Sequence, residues 1–92
     1  MNKLLILNGK DNIAVCLEDL DSGTHISQNE LNFEVKNRIP RGHKIATKLI
    51  MKNDGIIKYG ERMGHATRDI QVGEHVHTHN VLGDRLSKEQ LN

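Results

Sequence analysis

Short aliphatic runs separated by turn-forming residues dominate this chain. Residues 4–7 (Leu-Leu-Ile-Leu) and 13–17 (Ile-Ala-Val-Cys-Leu) are two such runs, and the segment between them is Asn-Gly-Lys-Asp-Asn. Runs of this length bounded by Gly, Asn and Asp are typical of β-strands. We therefore predict an N-terminal β-hairpin whose connection lies at residues 8–12.

Further strands follow from alternation and from turn chemistry. Leu31, Phe33 and Val35 are separated by polar residues, which predicts a strand with one buried face because successive side chains point to opposite sides. Residues 56–59 are another strand candidate. Residues 39–42 (Ile-Pro-Arg-Gly) fit a type I turn with Pro at its second place and Gly at its fourth.

Helical signals are few. Residues 46–51 are expected to form a helical turn or two, and residues 87–90 (Ser-Lys-Glu-Gln) resemble a capping box. The second of these lies in a tail, residues 83–92, that we expect to fray because it runs into the chain end. The sequence thus predicts a mainly β fold with short helical turns, organised as one domain over residues 1–92.

A repeat with the form aliphatic-x-x-[Gly/Asn]-x-x-aliphatic occurs along the chain. Residues 20–26 and 70–76 carry it with Gly23 and Gly73, and residues 50–56 carry it with Asn at the same place. Gly and Asn tolerate the left-handed backbone conformation, so each copy predicts a tight turn that leads into a strand. The pattern also predicts the buried residues, which are Ile13, Val15, Leu20, Ile26, Phe33, Ile45, Ile56, Ile70 and Val76.

Composition and charge indicate which classes of protein are expected. The 92 residues suffice for one small domain, and the formal charge of +1 comes from interspersed signs, which gives no support to nucleic-acid binding. Cys16 lies in an aliphatic run, where a buried, reduced thiol is expected. The aliphatic start is too short for a signal peptide, and no stretch is long enough to span a membrane. We expect a cytoplasmic protein.

The clearest candidate for chemistry is the segment Gly-Glu-His-Val-His-Thr-His-Asn at residues 73–80. In an extended strand, alternate side chains leave the same face, so His75, His77 and His79 would point together. Imidazole is the commonest metal ligand in proteins. Because a strand rises about 3.3 Å per residue, the outer two histidines would start roughly 13 Å apart, so two of the three would share an ion. The alternative is a solvated strand face without an ion.

A second candidate is the pair His43 and Lys44, which directly follows the predicted turn at residues 39–42. An imidazole beside an ammonium suits capture of a carboxylate, and His43 alone also suits metal ligation. The alternative is an ordinary basic surface loop. His65 stands in a strand-like segment with no partner that the sequence reveals.

These segments together resemble the altronate and galactarate dehydratase family. The elements that carry the likeness are Gly-His-Lys at residues 42–44, Lys-Tyr-Gly at 58–60, Gly-His-Ala-Thr-Arg-Asp-Ile at 64–70 and Val-His-Thr-His-Asn at 76–80. The likeness runs in order from about Asp11 to Val81 and is to the N-terminal SAF domain of that family. It implies a small β-clip fold.

The resemblance also implies a function. Members of the family eliminate water from sugar acids in a metal-dependent reaction, with iron (Fe2+) as the expected metal. In some relatives, including sulfolactate sulfo-lyases, the small domain is a subunit beside a large catalytic one. We therefore expect the small subunit of a hydro-lyase. The alternatives are the small subunit of a sulfo-lyase, or a SAF module that binds a ligand or a protein without catalysis.

Site residues follow from the matching motifs. His77 and His79 are the expected metal ligands, whereas His43, Lys44 and Asn80 are expected to contact a hydroxy-acid substrate. The catalytic base is expected on the large partner subunit. That partner is expected to dock on an apolar surface near the histidines or near residues 81–82, and self-association is expected to cover this surface when the partner is missing.

The sequence departs from the family in one loop. Residues 53–55 read Asn-Asp-Gly where family members more often carry a Gly-containing turn with a Pro, so this loop is expected to differ in shape.

Overall fold

The aliphatic–glycine repeat occurs four times within residues 2–84, the part of the chain that the computed structural model describes. Each copy contains one residue with a positive backbone φ at its turn, at Gly23 (91°), Gly42 (86°), Asn53 (76°) and Gly73 (91°). The three expected copies are confirmed. Asn53 adopts the same left-handed conformation as the glycines, so this turn keeps the shape of the other three despite its sequence.

The fourth copy covers residues 39–45, where the predicted turn type is wrong. His43 N donates to Pro40 O at 3.0 Å, so the turn runs from Pro40 to His43 and places Gly42 third. A positive φ at the third place defines a type II turn, which needs Gly or Asn there. The type I prediction was shifted by one residue because Pro is common at the second place of either type.

The four copies pair two by two with the same contacts. Leu20 bridges Ile39, and Ile50 bridges Ile70. In the first pair the carboxylate of Asp19 accepts a hydrogen bond from Arg41 N at 2.7 Å. In the second pair the carboxylate of Asp69 accepts one from Lys52 N at 2.8 Å. The fold therefore contains one two-part arrangement twice, each made of two repeat copies.

Nine strands are present in the described residues, and they form three small antiparallel sheets. The largest sheet has the order β1-β2-β5-β8, a second pairs β3 with β4, and a third has the order β6-β7-β9. The bounds are β1 Leu4–Leu5, β2 Ile13–Cys16, β3 His25–Gln28, β4 Leu31–Glu34, β5 Lys44–Ala46, β6 Gly55–Lys58, β7 Glu61–Ala66, β8 His75–Val76 and β9 Val81–Leu82. The mainly β prediction and the N-terminal hairpin are confirmed.

The largest sheet separates two aliphatic clusters. Ala14, Cys16 and Ile45 belong to the first cluster, together with Leu4, Leu20, Ile26, Val35 and Ile39. The opposite face contributes Ile13, Ala46 and Val76 to the second, together with Ile50, Ile56, Ala66 and Ile70. Alternation along β2, β5 and β8 thus supplies both cores from one sheet.

Two of the nine residues expected in the core are only half-buried. Val15 pairs with Leu5 and Lys44, and this end of the sheet faces solvent, as the 44% exposure of Leu5 shows. Phe33 packs against the edge of the first cluster on the small β3–β4 sheet, where only part of its ring is covered. The other seven are buried.

The helix expected at residues 46–51 does not form. Ala46 ends β5, and Ile50 exchanges two backbone hydrogen bonds with Ile70, at 2.9 and 2.7 Å. Pairing with Ile70, a residue distant in the same chain, therefore overrides the weak helical propensity of residues 46–51. The predicted capping box at residues 87–90, and the tail beyond Asp84, lie outside the described residues. Within the described part, no helix is both long and apolar enough to cross a membrane.

Candidate functional site: a histidine cluster beside a cationic groove

The histidine segment is a turn rather than the extended strand that its alternation suggested. Strand β8 ends at Val76, and Asn80 N then donates to His77 O at 3.1 Å, which closes a turn over residues 77–80. The rings nevertheless come together, with the centroids of His75 and His79 only 5.3 Å apart. The turn therefore gathers side chains that a strand would have separated by roughly 13 Å.

The side chain of Asn80 holds this turn through hydrogen bonds to its backbone. This side chain is fully buried, its Oδ1 accepts from His77 N at 3.0 Å, and its Nδ2 donates to His75 O at 2.8 Å. Its own carbonyl accepts from Thr67 N at 2.9 Å. Both polar atoms of the amide are thus engaged with backbone, and because the side chain is fully buried, a direct contact with a substrate would require the turn to open.

His43 joins the cluster through the pairing of β5 with β8. Lys44 lies opposite Val76 in this antiparallel pair, and continuing the register places His43 opposite His77. Their rings stack with centroids 4.6 Å apart and planes 10° from parallel. His43 Nδ1 also lies 2.9 Å from His75 Nε2, at hydrogen-bond distance. His43 therefore lies beside His77 as expected, but the three histidines do not line one pocket: His77 and His79 line different pockets, and His43 lines neither of the two.

His75 is at the centre of the cluster, a position that the sequence did not reveal. Its ring lies within 5.4 Å of the rings of His43, His77 and His79, centroid to centroid. Burial lowers the pKa of His75 below its ordinary value, and the positive charges that His43, His79 and His77 can carry lower it further. The lowered pKa favours the neutral form of the central imidazole, in which one ring nitrogen can accept a hydrogen bond or bind a cation.

The cluster offers only part of a metal site. Among residues 2–84, no three His, Cys, Asp or Glu side chains converge as the ligands of one ion would. In a tetrahedral site two nitrogens at about 2.1 Å from the ion lie about 3.4 Å apart, so His43 Nδ1 and His75 Nε2, which are 2.9 Å apart, would have to separate slightly to share an ion. Further ligands would have to come from a movement of His77 and His79 or from a partner chain.

Lys44 faces away from the cluster, because neighbouring residues of a strand alternate. It lines an open groove of about 440 Å³ on the other face of the sheet, together with Ile13, Ile56, Lys58, Met63, Val76, His77, Thr78, Val81 and Gly83. The expected pair His43 and Lys44 is therefore divided between the cluster and the groove. His77 belongs to both and connects them.

The groove has an aliphatic floor and cationic groups. Lys44 and Lys58 carry its charges, and no Asp or Glu lies among its lining residues in the described part of the chain. Thr78 Oγ1 lies 3.2 Å from His77 Nδ1, so this contact leaves His77 Nε2 free. A polar pocket of about 330 Å³ adjoins the other side of the cluster, where His75 and His79 face Arg68, Asp69, Glu74 and Asn37.

A third arrangement ties the end of β9 to β7. Asp84 accepts hydrogen bonds from Arg62 Nε at 2.7 Å and Arg62 Nη2 at 3.2 Å, and its Oδ1 lies 2.9 Å from His65 Nδ1. The hydrogen bond from Arg62 and that from His65 lower the pKa of Asp84 to about 2. His65 therefore has a carboxylate partner that the sequence pattern could not reveal, because the two residues meet only through the pairing of β7 with β9.

Comparison with known proteins identifies the family. A profile described as the altronate/galactarate dehydratase SAF domain matches residues 2–84. The chain belongs to this family, as the motifs of the site suggested.

Curated relatives are similar over most of this chain. Altronate dehydratase of Bacillus subtilis (strain 168) is 42% identical over 91 residues, which are 99% of this chain and 18% of that protein. The (2R)-sulfolactate sulfo-lyase subunit alpha of Chromohalobacter salexigens is 47% identical over an alignment 78 residues long, which covers 78% of this chain and 83% of that subunit. Galactarate dehydratase (L-threo-forming) of Escherichia coli (strain K12) is 40% identical over 65 residues. The chain spans less than a fifth of the altronate dehydratases it matches, but most of the sulfo-lyase subunit.

Proposed function

We propose that this chain is the small subunit of a metal-dependent hydro-lyase that dehydrates a sugar acid such as altronate or galactarate. The observation that carries the proposal is the contact between the histidine cluster and the cationic groove, which share His77. The names of the dehydratase relatives support the reaction class.

The proposed elimination needs three chemical tasks. A base removes the proton beside the carboxylate, a positive group stabilises the enolate that develops, and an acid assists departure of the β-hydroxyl. In this proposal Lys44, which lines the groove, holds the carboxylate, and His43 stacks on His77 beside it. A divalent iron held by His77 and His79 would supply further positive charge to the enolate. Asn80 keeps the turn that presents these two histidines.

The proposal requires a large catalytic partner that supplies the base. The groove is open on one side, and a domain of this size encloses little of a sugar acid. Met63, which is 54% exposed, and Val81 lie along the groove, where we expect the partner to dock and to cover apolar surface. The same apolar lining would support self-association of the chain in the partner's absence.

A second candidate reaction is release of sulfite from sulfolactate. It is supported by the 47% identity of the chain to a (2R)-sulfolactate sulfo-lyase subunit alpha. Both reactions begin with removal of the proton beside the carboxylate and differ in the group that leaves. A third candidate is a module that binds a ligand or a protein without catalysis.

The experiment is to co-express the chain with a large dehydratase-like subunit encoded beside it and to purify the complex. Formation of a 2-keto acid from altronate or galactarate supports the hydro-lyase, whereas sulfite from sulfolactate supports the alternative. A complex that forms but converts none of these acids would leave only the binding module.

Two variants test the histidines within that complex. His77→Ala and His79→Ala should lower kcat by about 100-fold or more, the usual scale for loss of a group that stabilises developing charge. The matched control is His25→Ala, because His25 occupies the repeat position equivalent to His75 and is exposed. Unchanged circular dichroism and complex formation would show that the loss is chemical. Full turnover by both variants would refute the assignment.

A further inference from the structure

The turn between β6 and β7 holds a backbone conformation that most sequences avoid. Lys58 ends β6 and Glu61 begins β7, so Tyr59 and Gly60 form a two-residue connection. Both have positive φ, 56° and 74°, which defines a type I′ turn. Asn-Gly is the usual pair at such turns. A tyrosine at the first place is strained, because its Cβ crowds the backbone in this conformation.

A buried carboxylate holds this turn in place. Asp11 is only 4% exposed, and it accepts hydrogen bonds from Tyr59 N at 3.0 Å and from Gly60 N at 2.7 Å. The carboxylate belongs to the connection of another hairpin, far away in sequence. Strained residues fixed by their surroundings in this way cluster at functional sites, so the residue that directly precedes the turn, and whose position the turn fixes, is a candidate for function.

That residue is Lys58. Its Nζ lies 5.1 Å from the centre of the Tyr59 ring, where the π face attracts a cation. Lys58 lines the groove with Lys44, and within residues 2–84 neither ammonium group lies within 4.0 Å of a carboxylate. Among the described residues, the groove therefore presents two positive charges that no carboxylate neutralises, above a floor of Ile13, Ile56 and Val76.

We propose that this groove binds a dianionic hydroxy acid, with one anionic group on Lys44 and the other on Lys58. The turn anchored by Asp11 positions Lys58 for this contact. The aliphatic floor lowers the local dielectric and strengthens both interactions. The choice of a hydroxy acid as ligand rests on the proposed function. The two lysines favour galactarate or sulfolactate, which carry two anionic groups, over acids that carry one.

The first test is an NMR titration of the full chain with three ligands of the same six-carbon length. Galactarate carries two carboxylates, galactonate one and galactitol none. We expect saturable shifts at Lys44, Lys58 and His77, with galactarate binding about tenfold more tightly than galactonate, as a second charge-assisted contact provides. No saturation by galactarate below about 50 mM would overturn the proposal. Equal shifts with sodium sulfate would show an adventitious anion site and overturn it as well.

Variants separate positioning from stability. Lys58→Gln should remove the preference for galactarate over galactonate, and Lys58→Arg should retain it. Lys48→Gln is the matched control, since Lys48 is exposed and does not line the groove. Tyr59→Asn installs the residue that type I′ turns favour, so it should keep or raise the melting temperature while weakening galactarate binding about threefold. Unchanged binding in both Lys58→Gln and Tyr59→Asn would contradict the proposal.

The experiments distinguish a failure of this inference from a failure of the proposed function. Binding of galactarate at the groove without turnover by any complex would retain the inference and remove the proposed function. Turnover by the complex with an unchanged KM for Lys58→Gln would retain the function and remove the inference.

Discussion

Replacing Asn80 with Ala should destabilise the domain more than any exposed substitution in the histidine turn. The change removes the hydrogen bonds to His77 N and His75 O, at 3.0 and 2.8 Å, from a side chain that is fully buried. Each bond contributes about 1 kcal/mol, and each backbone group left without a partner in a partly buried place costs about 1 kcal/mol more. The expected loss is therefore about 2–4 kcal/mol, or about 10–25 °C in Tm for a domain of this size.

The assay is urea unfolding followed by far-UV circular dichroism, because the chain contains no Trp. Asn32→Ala is the matched control: Asn32 is exposed on β4, and this change should shift stability by less than about 0.5 kcal/mol. His77→Ala should behave like the control because His77 is exposed. A loss below about 1 kcal/mol for Asn80→Ala would refute the view that Asn80 holds the turn.

Three further outcomes are expected. Cys16 should resist iodoacetamide at pH 8 in the native protein and react fully in urea, because burial raises its pKa to about 11; rapid native labelling would contradict its place in the core. Asp84 has its pKa lowered from 3.8 to about 2, chiefly by Arg62, so it stabilises the fold above about pH 4. This contribution should disappear as the pH falls towards 2, and thermal scans of Asp84→Asn should lack that loss. Asp11→Ala should lower the free energy of unfolding in urea by about 2–4 kcal/mol, because Asp11 is buried and accepts two hydrogen bonds. The control Asp54→Ala should lower it by less than about 1 kcal/mol, because Asp54 is exposed and accepts one. Equal losses would contradict this prediction.

Local pattern was enough for much of the fold. Aliphatic runs predicted the hairpin of β1 and β2, and the spacing around Gly23, Asn53 and Gly73 predicted three of the four repeated turns. The copy at residues 39–45 was missed as a repeat because Pro40 suggested a different turn. Turn chemistry is local, so a conformation that only Gly or Asn tolerates is visible in the sequence.

The sequence predicted that the histidines lie close together but not the arrangement that brings them there. Alternation indicated that the side chains of His75, His77 and His79 lie on one face, but it predicted a strand. A period of two gives no information about the side-chain amide that closes the segment into a turn. Asn80 decides that folding through two backbone contacts. The separation of His43 from Lys44 follows from strand alternation, once β5 is known to pair with β8.

By itself, the sequence determined the β class, the repeated turns, most of the core and the family to which the chain belongs. Only the tertiary structure decided that His75 lies at the centre of the cluster, that Asp84 faces His65, and that Asp11 holds the turn that presents Lys58. The physical reason is the distance along the chain over which each effect acts. Propensity and periodicity act between neighbours along the chain, whereas these contacts join residues 19 to 49 positions apart and exist only after the sheets have paired.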